Sequence, residues 1–211
     1  MRAVRSPVVQ IAALQAEIRR CTRCAALVRC RSCVVPGDGD APARIAFVGI
    51  APGRRGGDRT GIPFSGDRSG DLLRRMIARA GLESVFITNL VRCNPRDARG
   101  RNRDPRPREI ANCREHLERE LAIVRAHIIV CLGRLAWREL AGRGVEFAPG
   151  RACESKFRDA ILYAMYHPAY INRGACSERE YLRAFRRLAR LTAGTRVARE
   201  LTDAAAPAML T

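Results

Sequence analysis

Residues 49–70, GIAPGRRGGDRTGIPFSGDRSG, combine side-chain types that could form a reaction site. Two carboxylates, Asp58 and Asp67, and one aromatic ring, Phe64, lie among closely spaced glycines. Glycine lets the backbone approach a bound group closely, and a carboxylate can orient water or offset positive charge. The apolar residues 62–64 in the middle of the stretch argue against a flexible linker. For each aspartate, a turn or a helix N-cap is the ordinary alternative.

Neither standard phosphate-binding motif fits this loop. A P-loop requires G-x-x-x-x-G-K-S/T, and the only lysine of the chain is Lys156, far from the loop. A dinucleotide-binding fingerprint requires G-x-G-x-x-G, and no two glycines of the loop lie two positions apart. We therefore expect the loop to serve a different kind of ligand.

Two further polar residues are associated with predicted strands. Four apolar, β-branched runs are typical of buried strands in a parallel sheet, namely residues 44–49, 85–90, 127–132 and 160–165. The glycine-rich loop follows the first strand, Asn89 lies at the end of the second, and His167 follows the fourth. Because ligands of open α/β sheets bind at the carboxyl ends of the strands, we expect the loop, Asn89 and His167 to meet there.

Helical periodicity is found between these strands and at both ends of the chain. It covers the segment before Cys21, residues 72–80, residues 110–124, a short segment after Gly133, and a last helix from Ser177 to about Leu191. The alternation predicts an α/β fold, a three-layer sandwich with a central, mainly parallel four-stranded sheet flanked by helices. We expect one domain over residues 1–192 and a flexible tail over residues 193–211.

The charge of the chain indicates its class of partner. The 211 residues carry a formal net charge of +18, with a pI near 11.0. This favours a polyanionic partner, nucleic acid above all, and a basic surface without a cognate partner is the alternative. No stretch is long and apolar enough to span a membrane, and the N-terminus lacks the apolar core of a secretory signal. We therefore expect a cytoplasmic monomer with no membrane partner.

The nine cysteines favour metal binding over disulfides in a chain of this kind. Considered locally, Cys21-x2-Cys24 and Cys30-x2-Cys33 are two C-x-x-C knuckles, the parts of a four-thiolate zinc site. The five residues between the knuckles are a short connection for folding both around one ion.

The glycine-rich loop resembles the first motif of the uracil-DNA glycosylase superfamily, in particular of its iron–sulfur branches. Residues 49–53, GIAPG, are similar to G-E-A-P-G of family 4, and residues 59–70, RTGIPFSGDRSG, are most similar to the pattern of family 5, or type B. Later motifs of the superfamily are resembled by TNLVRCNP (88–95), PRPREIANCREHL (105–117) and HPAYINR (167–173). The resemblance covers roughly residues 18–192.

This resemblance implies how a flipped base would be held. Gly49 and Ala51 are expected to bring the backbone close to the nucleotide, and Phe64 is expected to stack on the base. Asn89 can donate and accept at once, which matches O4 and N3–H of uracil. His167 is implied to hydrogen-bond O2 and to stabilise the anionic leaving group.

The resemblance also implies a carboxylate that offsets charge on the sugar or orients water. Asp67 occupies that position in the family 5 pattern, and Asp58 is the reserve candidate, standing where family 5 has asparagine. The loop departs from pattern again at Arg55, where family 5 has histidine, and at Ile50, where family 4 has glutamate. Phosphate contacts are expected from Arg54, Arg55, Arg68 and Arg173.

A second set of cysteines is also implied by the resemblance. Cys21, Cys24, Cys93 and Cys113 are similar in spacing to the family's ligands of a 4Fe–4S cluster, and four thiolates are what such a cluster needs. We favour this distributed set over the local zinc site, with a structural role that joins the N-terminal segment to the sheet. Cys30 and Cys33 then stay unassigned.

The function implied is that of a monofunctional DNA repair glycosylase. It would remove uracil, and other deaminated bases in view of the breadth of family 5, and leave an abasic site. No lysine lies near the predicted site, which disfavours lyase chemistry through a Schiff base. Two alternatives stay open: a non-catalytic iron–sulfur protein that binds nucleic acid with a degenerate site, and a zinc-knuckle protein that binds RNA.

Overall fold

The computed structural model describes residues 5–155, 157 and 160–204, with side chains described up to residue 194. Its helices are α1 (Pro7–Arg19), α2 (Ala25–Val28), α3 (Gly57–Thr60), α4 (Arg68–Arg79), α5 (Pro107–Val124), α6 (Arg134–Ala141), α7 (Pro168–Ile171) and α8 (Glu178–Ala204). Its strands are β1 (Asp38–Gly39), β2 (Ile45–Gly49), β3 (Val85–Asn89), β4 (Ile128–Leu132), β5 (Ala152–Glu154) and β6 (Ile161–Met165). The four predicted strands and the predicted helices are all present.

The strands form one mixed sheet in the order β1-β3-β2-β4-β6-β5. The four predicted strands are its parallel centre, whereas β1 and β5 pair antiparallel at the two edges. The prediction of a four-stranded sheet is therefore wrong in number, because the sheet has six strands. The edge strands have two and three residues and no alternating apolar pattern. They are recognisable as strands only from their pairing with neighbouring strands of the sheet.

The sheet lies between two layers of helices, as the α/β sandwich prediction requires. On one face, Ala46 and Val48 of β2 pack in a cluster that includes residues of α1, α5 and α6. On the other face, Ile45 and Phe47 pack with residues of α4 and α8. Successive strand residues point to opposite faces, so a central strand covered on both sides is apolar throughout. All five residues of β2 are buried.

The last helix is longer than the sequence predicts. It was expected to end near Leu191, and it continues to Ala204. The sequence predicts an early end because the apolar periodicity stops near Leu191, whereas the backbone stays helical beyond it. The predicted tail at 193–211 thus begins inside α8, and residues 205–211 lie outside the described residues. Across the described part of the chain, no helix is sufficiently long and apolar to cross a membrane.

Candidate active site

A cavity of about 360 Å³ lies at the carboxyl ends of the parallel strands. Six residues that the sequence singled out line it: Ala51, Phe64, Asp67, Asn89, His167 and Arg173. The expected convergence of the glycine-rich loop with the ends of β3 and β6 is therefore what the fold produces.

Phe64 is held in the cavity wall with an unusual backbone. Its φ is +49°, a left-handed conformation that is uncommon for a bulky residue and that persists only where the surroundings impose it. The guanidinium of Arg74, on α4, donates to the carbonyl oxygens of Phe64 at 2.8 Å and Pro63 at 2.9 Å. Gly70 packs so closely that a Cβ there would lie 2.4 Å from the Phe64 carbonyl oxygen. The helix after the loop thus fixes the ring's position.

Gly49, the last residue of β2, lies behind both Phe64 and Asn89. A Cβ on Gly49 would lie 2.5 Å from the Phe64 ring and 2.5 Å from Oδ1 of Asn89. The residue does not itself line the cavity. Its lack of a side chain is what lets the aromatic ring and the amide lie side by side.

Asn89 presents an unused hydrogen-bond acceptor. The residue is 2% exposed, and its Oδ1 atom has no hydrogen-bond partner among the described residues. Its backbone carbonyl accepts from the buried guanidinium of Arg92, which also pairs with Glu120. A buried polar atom without a partner is costly and points to a ligand or water that is not part of the protein.

His167 is held in one tautomer. It is the N-cap of α7, and its Nδ1 accepts the backbone N–H of Ala169 at 3.1 Å. The neutral ring therefore carries its proton on Nε2. Burial of the ring, with a smaller contribution from the nearby Arg173 guanidinium, lowers the pKa of His167 to about 4. At neutral pH the ring is an uncharged N–H donor.

Asp67 both caps a helix and lines the cavity. Its Oδ1 accepts the N–H groups of Ser69 at 3.0 Å and Gly70 at 2.9 Å, so it is the N-cap of α4. Its Oδ2 packs against backbone of the glycine-rich loop, where a Cβ on Gly56 would lie 2.2 Å away. Asp67 thus combines the ordinary N-cap role with a place in the lining of the cavity.

Asp58, the reserve carboxylate, has a different place. It is fully buried, does not line the cavity, and forms an ion pair with Arg96. Both of its oxygens also accept the N–H of Ser32, at 3.0 and 3.2 Å. The prediction that Asp58 could replace Asp67 at the sugar does not fit this geometry. The carboxylate of Asp58 instead joins the glycine-rich loop to neighbouring segments of the chain.

The predicted phosphate-binding arginines lie around the cavity mouth. A second cavity of about 520 Å³ adjoins the first and is lined by Arg54, Arg55 and Arg68, with Asp67 shared between the two cavities. Arg55 and Arg68 are exposed and make no ion pair with a described residue. Arg173 lines the first cavity, with its guanidinium 6.0 Å from the ring centroid of Tyr170.

Two asparagines in the cavity wall were not singled out by the sequence. Asn94 donates through Nδ2 to the carbonyl of Pro52 at 2.7 Å and to Oδ1 of Asn102 at 2.9 Å. Oδ1 of Asn102 also accepts the N–H of Arg54 at 3.1 Å. Asn94 lies in the segment 88–95, which resembles a motif of the superfamily, whereas Asn102 lies in an arginine-rich loop that resembles none of its motifs. Only the fold brings them together.

The cysteines of the distributed set come from three separate segments. Cys21 follows α1, Cys93 follows β3, and Cys113 lies on α5, and the three thiols are close enough to interact electrostatically. Each of two sulfur atoms accepts an N–H: Cys93 from the Arg31 guanidinium at 3.1 Å and Cys113 from a backbone N–H at 3.4 Å. Cys24 accepts from the side chain of Asn112 at 3.4 Å.

The donor set suits a cluster better than a single ion. Among the described residues, no three metal-binding side chains stand close enough to hold one ion, and this applies to the two knuckles and to the distributed set alike. A 4Fe–4S cluster needs a wider cage, because each thiolate binds a different iron. Burial raises the pKa of Cys93 to about 11, so its thiolate requires a cationic partner such as iron. Cys21, Cys93 and Cys113, whose thiols lie near one another, are the type of donor that such a cluster takes.

The two remaining knuckle cysteines make other contacts. The thiol of Cys30 donates to the carbonyl of Asn94 at 3.5 Å, and that of Cys33 donates to the carbonyl of Asp58 at 3.1 Å. Both thiols thus tie the N-terminal segment to loops around the cavity.

Comparison with known proteins identifies the family. The model of the uracil DNA glycosylase superfamily matches residues 36–189, so the chain belongs to this superfamily. The chain is 36% identical over 185 residues to the type-4 uracil-DNA glycosylase of Archaeoglobus fulgidus, a match that covers 83% of this chain and 89% of that protein.

Relatives of both predicted branches are found. The chain is 34% identical over 186 residues to the type-5 uracil-DNA glycosylase of Pyrobaculum aerophilum, covering 72% of this chain and 79% of that protein. It is 46% identical over 121 residues to the type-4 enzyme of Saccharolobus solfataricus, covering 56% and 53% of the two chains. The predicted resemblance to families 4 and 5 is confirmed, and these identities do not separate the two.

Proposed function

We propose that this chain is a DNA repair enzyme that hydrolyses the bond between uracil and deoxyribose and leaves an abasic site. One observation carries the proposal: the unpartnered Oδ1 of Asn89, the ring of Phe64 and the neutral His167 meet in one cavity. Relatives with the name uracil-DNA glycosylase at 34–46% identity support the same activity.

Asn89 would select the base. Its free Oδ1 can accept N3–H of uracil while its Nδ2 donates to O4. Cytosine presents an acceptor at N3 and a donor at its exocyclic amine, so both hydrogen bonds would be lost. Because Asn89 is buried and its Oδ1 packs directly against Gly49, the side-chain amide has little freedom to adapt to the wrong base.

His167 would stabilise the leaving group. Negative charge grows on uracil O2 as the bond to the sugar breaks, and a fixed N–H donor in a partly buried site stabilises such charge effectively. The Nδ1–Ala169 hydrogen bond leaves Nε2–H free for that role. A neutral donor has the further advantage that it costs less to bury than a charged ring.

Asp67 would act on the sugar side. Its second oxygen is free to offset the positive charge that develops on the deoxyribose or to orient the attacking water. Asn94 and Asn102 line the same cavity and can contribute to water binding there. The only lysine of the chain is Lys156, far in sequence from the glycine-rich loop, so we infer no Schiff-base step and no strand cleavage by the protein itself.

DNA would be held through its phosphates. The exposed Arg54, Arg55 and Arg68 line the adjoining cavity, and Arg173 lines the cavity of the proposed active site. Together with the net charge of +18, these residues support a strongly salt-dependent interaction with DNA.

We further propose that Cys21, Cys24, Cys93 and Cys113 hold a 4Fe–4S cluster. Four iron–thiolate bonds would supply a covalent cross-link among three segments of the chain. The N–H donors of Arg31 and Asn112 and the backbone N–H of Arg92 would stabilise the thiolates. The role is structural, because base excision by hydrolysis involves no change of oxidation state.

Excision is the test. Iron-loaded protein is incubated with a labelled oligonucleotide that carries one uracil, single-stranded or opposite guanine, and abasic sites are then cleaved with alkali. We expect a cut that requires the alkali step and is lost in Asp67→Asn. A wild-type protein that binds the oligonucleotide but never yields a cut, with uracil or hypoxanthine, would establish the non-catalytic alternative instead.

A further inference from the structure

A third cavity, of about 430 Å³, lies between α8 and β6, outside the cavity of the proposed active site. Tyr163, from the middle of β6, is one of the residues that line it. Tyr163 is 1% exposed, and its hydroxyl has no hydrogen-bond partner among the described residues. Buried polar groups are almost always hydrogen-bonded, so this hydroxyl points to a partner that the chain does not supply.

Three arginines line the same cavity from one face of α8. Arg183, Arg187 and Arg190 follow the i, i+4, i+7 spacing that places side chains on one side of a helix. All three are exposed, and neither Arg187 nor Arg190 forms an ion pair with a described residue. Other exposed arginines, such as Arg75 and Arg114, are paired with glutamates.

Gly150 marks the point where the hydroxyl and the arginine come together. A Cβ on Gly150 would lie 3.8 Å from the hydroxyl of Tyr163 and 3.4 Å from a guanidinium nitrogen of Arg187. Two donors therefore flank one small space that a side chain at this position would fill. The carboxylate of Glu180 also lines the cavity, but it accepts from Ser177 at 2.7 and 2.8 Å and so caps α8.

We propose that this cavity binds a phosphate group, with Tyr163 and Arg187 as its donors and Arg183 and Arg190 as flanking charges. A phosphate oxygen accepts from both a hydroxyl and a guanidinium, and the positive charges of the arginines attract the negative phosphate. Burial raises the pKa of Tyr163, which keeps its hydroxyl protonated and able to donate. Apolar residues such as Ala164 and Ala184 leave room beside the phosphate for an organic group.

Two sources of such a phosphate are compatible with the position of the cavity. Tyr166 lines it, and the next residue, His167, lines the proposed active site, so the two cavities flank the same turn of the chain. A backbone phosphate of bound DNA could reach the site, and so could a free nucleotide. Both present the same chemistry to Tyr163 and Arg187.

The test compares Tyr163→Phe and Arg187→Gln with Arg186→Gln in the full chain. Arg186 lies on the same helix, is exposed and does not line the cavity, so it controls for the loss of one charge. In the first arm, calorimetry measures binding of inorganic phosphate and of deoxyadenosine monophosphate. In the second arm, anisotropy measures binding of uracil-free duplex DNA over a range of salt concentrations.

The two sources give different results. If the ligand is a free phosphorylated molecule, Tyr163→Phe and Arg187→Gln weaken its binding in the first arm about tenfold, as loss of a charge-assisted hydrogen bond does. In the second arm, the salt dependence of DNA binding by these two variants then equals that of Arg186→Gln. For a DNA phosphate, Arg187→Gln lowers the slope of log K against log salt by about 0.9 more than Arg186→Gln does. The proposal is overturned if all three variants behave alike in both arms.

Misfolding is controlled by thermal unfolding of the same samples. Tyr163→Phe removes a hydroxyl that has no protein partner, so we expect a melting temperature equal to or above that of the parent chain. Loss of binding by this variant at unchanged stability then reports on the site alone. Equal binding of every probe by Tyr163→Phe and the parent would show that the hydroxyl serves no ligand.

Discussion

The rings of Phe64 and His167 lie with their centroids 5.5 Å apart and their planes inclined by 41°. A base inserted between two rings needs about 7 Å, two contacts of about 3.5 Å each. The base therefore cannot occupy the space between them. Under the proposed function, the base would stack on Phe64 and turn its O2 edge to His167, so that one ring would bind the base and the other would stabilise its charge.

The stacking role proposed for Phe64 predicts a loss of affinity for the flipped base when the ring is removed. Phe64→Leu keeps an apolar side chain but removes the flat surface, and stacking of one base is worth about 1–3 kcal/mol. We expect kcat/KM for uracil excision to fall between about fivefold and 150-fold. Phe147→Leu is the control, because Phe147 packs with Tyr166 and does not line the cavity. Equal effects of the two substitutions would contradict the assignment.

The contact of Gly49 with both Phe64 and Asn89 predicts that Gly49→Ala inactivates the site. A Cβ at 2.5 Å from each neighbour must displace the ring, the amide or both. We expect excision to fall at least a hundredfold while DNA binding, which depends on surface arginines, is retained. Gly144→Ala is the matched control, since Gly144 is exposed and has nothing within 4 Å of its added Cβ. Excision by Gly49→Ala at the parental rate would show that the site accommodates the added Cβ without loss of its active geometry.

The central fold and the convergence of the site could be predicted from the sequence. Apolar runs defined the four parallel strands, and the carboxyl-end rule for α/β sheets then placed Asn89 and His167 together. The edge strands β1 and β5 could not be predicted, because their pairing depends on neighbours distant in the chain.

The role of Asp58 shows the same limit at the level of one side chain. Its partner, Arg96, lies 38 residues away, and nothing in the spacing of the two residues indicates an ion pair. Asp67, in contrast, caps the helix that follows it directly, a local relationship that the sequence pattern does predict.

This difference predicts opposite phenotypes for the two aspartates. Asp67→Asn retains a capping oxygen but loses the charge, so we expect kcat to fall about 10²–10⁴-fold with little change in stability. Asp58→Asn leaves Arg96 without its buried counter-charge, so we expect a loss of about 3 kcal/mol in the free energy of unfolding. Excision assays and urea denaturation of both variants check the pair. A stable, inactive Asp58→Asn would return Asp58 to the catalytic candidates.

The lowered pKa of His167 predicts that its ring stays neutral over the neutral and mildly acidic pH range. The ring donates Nε2–H while Nδ1 accepts from Ala169, and protonation of Nδ1 would break that contact. Because the pKa is about 4 rather than the ordinary 6.5, the neutral donor persists as the pH falls from 8 to about 5 and is lost only near 4. An NMR titration of the His167 ring, assigned with His167→Gln, measures this directly. A midpoint near 6.5 would contradict the neutral donor.

Removal of one proposed cluster ligand should release iron without disturbing the sheet. Cys113→Ser is expected to lower the iron and sulfide content of the purified protein and its visible absorbance, because serine is a poor substitute for thiolate. It is also expected to lower the melting temperature, since Cys113 on α5 would no longer be joined to the segments of Cys21 and Cys93. Cys131→Ser is the control: Cys131 is fully buried in β4, where the change alters packing but no ligand. Equal iron content in the two variants would refute the distributed cluster.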